Sequence, residues 1–137
     1  MSTQNVGEIA HGCTSGPVID ILFHESDIII VFQFDNVVIL DQNQTLKRKL
    51  DLQEISCAAI CKDAINCDSL LVGEPNGNIQ IYNIRNNYKG FCTIWAYNDE
   101  PASKILPLLE PEKGFITASD RKVTKWTFQI PITMRRE

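Results

Sequence analysis

The chain has 137 residues, 44% of them hydrophobic, and a formal net charge of −4. It is long enough to bury a core of its own, and its acidic balance argues against a nucleic-acid-binding surface, which is usually strongly basic. No apolar run approaches the roughly 20 residues of a membrane-spanning helix. Residues 1–12 lack the basic start and apolar middle of a secretory signal, so we expect a cytoplasmic or nuclear protein that binds no membrane.

Short apolar runs, rich in β-branched residues, alternate with turn residues such as Asp35-Asn36, Pro75-Asn76-Gly77 and Asp120-Arg121. Many short strands of this kind predict an all-β fold. In chain order, we predict strands over residues 17–23, 28–34, 37–41, 45–50, 55–61, 69–73, 78–83, 89–96, 102–108, 115–119, 122–127 and 128–134. The composition of residues 56–64 also suits a helix, but their place in an internal repeat favours a strand.

The repeat consists of three segments, residues 28–41, 70–83 and 115–127. Each predicts a strand, a tight turn and a second strand that ends on a large apolar residue followed by a small polar one. The large residues, Leu40, Tyr82 and Trp126, are separated by 42 and 44 residues. A period of about 40–45 residues with four strands in each unit is typical of β-propeller blades.

The paired residues at these strand ends, Leu40-Asp41, Tyr82-Asn83 and Trp126-Thr127, resemble the Trp-Asp dipeptide of the WD-repeat family. Asn76-Gly77 and Asp120-Arg121 lie where that family has the turn between the second and third strands of a blade. The resemblance covers residues 17–134, although one unit alone keeps the tryptophan, and the family's Gly-His dipeptide is missing from the second and third units.

The resemblance implies three four-stranded antiparallel propeller blades, at about residues 17–50, 55–96 and 102–134. A polar N-terminal arm at residues 1–16 would precede them, and a basic tail at residues 135–137 would follow. Propellers typically close with about four to eight blades. We therefore expect a homodimer, a partner that donates blades, or a piece of a larger propeller, with a bare apolar sheet face at each end of the arc.

Candidate metal and catalytic groups are few. Cys57 and Cys61 are four residues apart in a predicted strand, and at ~3.3 Å per residue that separation of about 13 Å is too large for one ion. Free cysteine usually packs as a small hydrophobe. The two histidines, His11 and His24, lack a recognisable glycine-rich nest for an oxyanion. We therefore predict no metal ligands, no catalytic residues and no cofactor.

Other motifs have a structural and a functional interpretation. The basic run Lys47-Arg48-Lys49 is a charged outer strand or a nucleic-acid-binding signal, and we favour the strand, because phosphate-backbone binding usually needs more contacts. The aromatic residues either pack between blades or form a recognition patch on the surface, and we favour packing between blades. These aromatic residues are Tyr82, Phe91, Trp95 and Trp126.

Acidic residues recur in the predicted loops on one rim of the blades. Asp51, Glu54, Asp99 and Glu100 fall in loops that join one blade to the next, and Glu74 falls in a loop between the second and third strands. The recurrence predicts a binding surface for a protein partner with a basic surface. Simple solubility is the competing interpretation, because loops are generally polar.

The leading hypothesis is a non-enzymatic protein-protein interaction scaffold or a subunit of a multiprotein complex, because propellers usually provide binding surfaces. One alternative is a propeller-type enzyme with a histidine or carboxylates lining a central channel. Another is a truncated propeller fragment without a function of its own.

Overall fold

The chain folds into three antiparallel sheets, in a computed structural model that describes residues 16–62, 67–109, 111–129 and 133–136. The first sheet contains β1 (Val18–His24), β2 (Asp27–Phe32), β3 (Phe34–Leu40) and β4 (Leu46–Glu54). The second contains β5 (Cys57–Cys61), β6 (Ser69–Gly73), β7 (Asn78–Asn83) and β8 (Lys89–Trp95), with a short 3-10 helix, Ile84–Asn86, before β8. The third contains β9 (Lys104–Pro107), β10 (Gly114–Ala118), β11 (Val123–Gln129) and β12 (Thr133–Arg136).

The predicted all-β fold with three four-stranded antiparallel sheets is confirmed, because each sheet is a simple meander of four consecutive strands. Residues 57–61 form a strand, as the repeat predicted, rather than a helix. The predicted arm at residues 1–16 lies outside the described residues except for Gly16. Among the described residues, no helix has the length and apolar character needed to span a bilayer.

Most strand boundaries differ from the prediction by one or two residues, and some differ by more; Phe128 and Gln129, for example, belong to β11 rather than to the last strand. Residues Asp35 and Asn36 belong to β3 rather than to a turn, because Phe34 and Asn36 already pair with β4, across a bulge. The same pairing extends β4 as far as Glu54. Arg135 and Arg136 belong to β12 rather than to a tail, since they pair with Thr127 and Trp126 of β11.

Successive sheets pack face to face, with one core between each pair. Between the first and second sheets, Ile29 and Ile39 pack with Leu70, and Tyr88 is fully buried beside them. Between the second and third sheets, the core includes Leu71, Ile79, Ile81, Phe115 and Trp126. Consecutive residues of a strand point to opposite faces, so the unbroken apolar run of β6 serves both cores.

The outward faces of the first and third sheets differ. Val38 and Leu40, on the outward face of the first sheet, are fully buried, and Ile30 and Phe32 beside them are nearly so. Only the centre of this face is covered, because Ile21 and Phe23 of β1, which pair with Ile30 and Ile28 on the same face, are 53% and 67% exposed. On the outward face of the third sheet, Val123 is 76% exposed. The described sheets do not form a closed ring.

The first strands of the three sheets lie side by side, since β1 contacts β5 and β5 contacts β9. In each meander, the turns after the first and third strands lie at one end of the sheet, and the turn after the second strand lies at the other. The array consequently has two edges. We call the edge with the β6–β7 turn, the β8–β9 loop and the β10–β11 turn the acidic edge, and the other the opposite edge.

Candidate functional site: the acidic edge

The acidic edge carries the five carboxylates that the sequence singled out, but not all of them in loops. Glu74 lies in the β6–β7 turn, and Asp99 and Glu100 lie in the β8–β9 loop, as expected. Asp51 and Glu54 lie within β4, so their predicted loop position is wrong. The reason is that the β3–β4 pairing continues to the last residue of β4, where Glu54 pairs with Phe34.

Two adjoining grooves bring three of these carboxylates together. One groove measures 260 Å³ and is lined by Glu54, Glu74 and Asn76, among others. The second measures 530 Å³ and is lined by Asn76, Trp95 and Asp99, among others. Asn76 borders both grooves, so the three carboxylates follow one continuous surface.

The other two predicted residues lie apart from these grooves. Asp51 sits opposite Asn36 in the β3–β4 pair and is exposed. Glu100 lies against the β6–β7 turn, where its backbone oxygen is close to Gly77, and its side-chain Oε1 is buried without a hydrogen-bond partner. Burying a carboxylate oxygen without a hydrogen-bond partner costs free energy. Because this oxygen is inaccessible, Glu100 is less suited to bind a partner than Asp99, which is exposed.

The β6–β7 turn is held against the β8–β9 loop at Gly77. The Tyr97 N–H donates a hydrogen bond to the Gly77 carbonyl over 3.2 Å. Gly77 has a φ of +96°, and a Cβ at this position would lie 2.3 Å from the Tyr97 carbonyl oxygen. Since only glycine combines this conformation with so close an approach, it is required here. Asn76 Oδ1 accepts from the Asn78 N–H over 3.0 Å, which fixes the tip of the turn.

A short hydrogen-bond chain orients Glu74. Thr93 Oγ1 donates to Gln80 Oε1 over 2.6 Å, and Gln80 Nε2 donates to Glu74 Oε1 over 3.0 Å. Gln80 and Thr93 sit directly opposite each other in the β7–β8 pair. The sheet therefore presents the Glu74 carboxylate at the edge in a defined orientation, which lowers the entropy cost of binding a partner there.

Two aromatic residues depart from the predicted packing between blades. Trp95, the last residue of β8, is 75% exposed and lines the larger groove, and Phe91 is about half exposed. Trp126 is buried as expected, and Tyr82 packs against the core between the first and second sheets. Exposed tryptophan is unusual because of its large apolar surface, and it is enriched among the residues that dominate protein interfaces.

A buried hydroxyl network lies beneath the β8–β9 loop. Trp126 Nε1 donates to Thr117 Oγ1 over 2.9 Å, and the Tyr97 hydroxyl lies 2.9 Å from the same Thr117 oxygen. Tyr97 also donates to Thr124 Oγ1 over 3.3 Å. Sequence analysis missed this network. Its signal was the presence of Thr117 and Thr124 at inward positions, which pair directly across β10 and β11.

A second polar cluster, also missed from sequence, joins the first and second sheets at the opposite edge. His24 Nε2 lies 2.7 Å from Asp68 Oδ2, and Arg85 bonds both Asp68 and Glu25. The hydrogen bond from Arg85 lowers the pKa of the Glu25 carboxyl. These partners are up to 60 residues apart in sequence, so no local pattern could have indicated them.

A second group of polar contacts at this edge gives the basic run a structural role. Lys47 Nζ lies 2.9 Å from Asp27 Oδ2, which also accepts a hydrogen bond of 2.7 Å from the Tyr88 hydroxyl. Burial, together with this hydrogen bond, raises the pKa of Tyr88. Lys47, Arg48 and Lys49 are exposed on β4, which confirms their placement in a charged outer strand. Since Asp27 is buried and paired, the arrangement links two sheets rather than exposing a reactive group.

The thiols of Cys57 and Cys61 are poor nucleophiles. Burial raises the pKa of Cys57 to about 11 and that of Cys61 to about 12, so both thiols are protonated at neutral pH. Cys61 packs in the core between the second and third sheets, as predicted. In the part of the chain that the structure describes, no group of three or more His, Cys, Asp or Glu side chains is arranged to hold a metal ion.

Comparison of the sequence with protein families and curated proteins found no match.

Proposed function

We propose that the chain is a non-enzymatic protein-interaction scaffold, or a subunit of a multiprotein complex, in the cytoplasm or nucleus. Its three sheets would be blades of a WD-repeat-like propeller. Three features support the blade interpretation: each sheet is a four-stranded meander, successive sheets share a core, and their first strands lie side by side. The bond from Trp126 to Thr117 also resembles the Ser/Thr–Trp contact of strong WD repeats.

The observation that carries the proposed function is the alignment of Glu54, Glu74 and Asp99 along two adjoining grooves beside exposed Trp95. We propose that this surface binds a partner with a basic surface. Complementary charge mainly accelerates association, and an aromatic anchor such as Trp95 supplies apolar contact area. Lys122 lines the larger groove beside Asp99, so the two grooves together have three carboxylates and one cation in their lining.

Reversing the charge of the acidic edge tests the proposal. We expect the triple variant Glu54→Lys, Glu74→Lys, Asp99→Lys to slow association with a lysine-rich peptide by about tenfold or more at low salt. The difference should shrink as salt is added, because exposed charges are screened. Stopped-flow fluorescence of Trp95 with the full chain measures the rate.

A single reversal away from the acidic edge is the matched control. Asp20 lies in β1, where its side chain accepts a hydrogen bond from the neighbouring Ile21 N–H, so Asp20→Lys should associate like the native chain while Asp99→Lys associates more slowly. Equal rates for the native chain and the triple variant at low salt would mean that the acidic residues serve solubility alone.

A further inference from the structure

The larger groove of the acidic edge has an aromatic side chain in its lining. Trp95, the last residue of β8, borders this groove and is 75% exposed, so most of its surface is accessible to a ligand. The face of an indole ring attracts cations more strongly than that of any other aromatic side chain, and the cation found there is more often arginine than lysine. The groove therefore offers a cation a second kind of contact besides the carboxylates.

The register of β7 and β8 places Trp95 near Glu74. Trp95 lies directly opposite Asn78. The next pair on the same face of the sheet joins Thr93 and Gln80. Gln80 is thus a diagonal neighbour of Trp95, at about 7–8 Å, a separation that long side chains can bridge. Since Gln80 Nε2 donates to Glu74 Oε1 over 3.0 Å, the Glu74 carboxylate lies on the same side of the sheet as the Trp95 ring.

The polar lining of this groove offers several hydrogen-bond acceptors. Asp99, which is exposed, borders it, and so do three asparagines, Asn76, Asn78 and Asn98. Carboxylate and amide oxygens accept hydrogen bonds, and a guanidinium group has five N–H donors in one plane. Lys122 also lines the groove, but its charge repels arginine and lysine alike and therefore does not influence the choice between them.

A guanidinium group matches this arrangement better than an ammonium group does. Because it is planar, its face can stack on the Trp95 ring while the N–H groups at its rim donate to the Glu74 carboxylate. The ammonium group of lysine is a compact and strongly hydrated charge, so it gains less from an aromatic face. Long-range attraction by the carboxylates acts equally on both cations, and the contact with Trp95 is what separates them.

We propose that the acidic edge selects arginine rather than lysine in an extended segment of its protein partner. One guanidinium group stacks on Trp95 and donates to Glu74, and neighbouring arginines of the segment lie near Glu54 and Asp99. The segment is extended because the two grooves adjoin at Asn76 and follow one continuous surface. This inference rests on the proposed function, since it names the side chain that the same surface recognises.

Two fluorescein-labelled peptides of equal length and charge test the proposal. Both alternate glycine with a cationic residue, which is arginine in one and lysine in the other. Fluorescence anisotropy with the full chain should show at least about tenfold tighter binding of the arginine peptide. Trp95→Leu should remove most of this preference, because leucine has no aromatic face, whereas Trp95→Phe should keep part of it. Since Trp95 is exposed at the end of a strand, both variants should fold.

Glu74→Gln tests the second contact. Glutamine keeps a side-chain oxygen for the hydrogen bond from Gln80 but lacks the charge, so the variant should bind the arginine peptide several-fold more weakly. Phe91→Leu is the matched control for Trp95, since Phe91 is about half exposed on the same strand and lines neither groove. This control should keep the full preference for arginine.

Equal binding of the two peptides to the native chain, or a preference that Trp95→Leu leaves unchanged, would overturn the proposal. The proposed function fails separately. If charge reversal of the acidic edge slows association of both peptides while the native chain binds them equally, the proposed function stands and the selection of arginine is wrong. Binding of neither peptide would contradict both.

Discussion

At the scale of single residues, burial decides what the titratable groups can do. Cys61 is almost fully buried in an apolar core, where the neutral thiol is strongly favoured over the thiolate. His24 and Asp27 are also buried, but His24 pairs with Asp68 and Asp27 accepts a hydrogen bond from Tyr88, so they link the first and second sheets. The sequence could predict the buried cysteine from its apolar neighbours. It could not predict the polar links, because their partners are brought together only by the packing of two sheets.

The raised pKa of Cys61 predicts a specific loss of stability in alkali. Below the unfolded-state pKa of 9.0, the thiol is protonated in both states and contributes no pH dependence. Above it, the unfolded thiol ionises while the folded one, with a pKa of about 12, does not, so unfolding releases a proton and stability falls as pH rises. At about pH 10.5 this group alone should lower the free energy of unfolding by roughly 2 kcal/mol.

Urea unfolding of the native chain, Cys61→Ala and Cys61→Ser at about pH 7.5 and about pH 10.5 measures this contribution. Both variants lack the thiol, so each should lose less stability in alkali than the native chain does. The two differ in how they fill the core, so their stabilities at the lower pH will differ while their pH dependence agrees. A pH dependence identical to that of the native chain would show that the Cys61 thiol ionises equally well when folded.

At the scale of elements, the alternation and spacing of apolar residues were enough to place the strands. The pattern could not fix strand ends, because β3 and β4 gain their extra length from pairing across a bulge. It also misjudged Trp95, since a tryptophan at the last position of an outer strand can face the groove instead of a core. The acidic edge was predicted in part, because Glu74 and Asp99 lie where expected. The distance between them depends on the contact between Gly77 of the β6–β7 turn and Tyr97 of the β8–β9 loop, which the sequence pattern could not predict.

The hydroxyl network of the third sheet predicts an order among threonine variants. Thr117→Val should cost roughly 1–3 kcal/mol, because Trp126 Nε1 loses its acceptor inside the core and Tyr97 loses its 2.9 Å partner. Thr124→Val should cost less, because its bond to Tyr97 is longer, at 3.3 Å, and Tyr97 keeps Thr117. Urea unfolding followed by tryptophan fluorescence gives both values. Equal costs would show that Thr117 has no special role in holding the β8–β9 loop.

At the scale of the whole molecule, the two outward sheet faces are not equivalent. The centre of the outward face of the first sheet is buried, whereas the third sheet exposes Val123 and half of Leu106. The repeat spacing predicted three similar units, but it could not reveal this difference, because each unit carries a comparable apolar pattern. The first sheet exposes apolar side chains only around its covered centre, whereas the centre of the third sheet, at Ile116 and Ala118, is itself partly exposed, which favours association through the third sheet.

We therefore predict that the chain self-associates at micromolar concentration through the outward face of the third sheet. A two-fold pairing of this face with itself would cover Val123 and Leu106 of both copies. Val123→Lys with Leu106→Lys should shift the species towards monomer, because it places like charges in the contact and removes its apolar surface. Leu46→Lys is the control, since Leu46 is as exposed as Leu106 but lies in β4 of the first sheet. Light scattering coupled to size exclusion should find the same larger mass for the native chain and the control, and a smaller mass for the double variant. A native chain that is monomeric over this concentration range, with a melting temperature independent of concentration, would contradict the prediction.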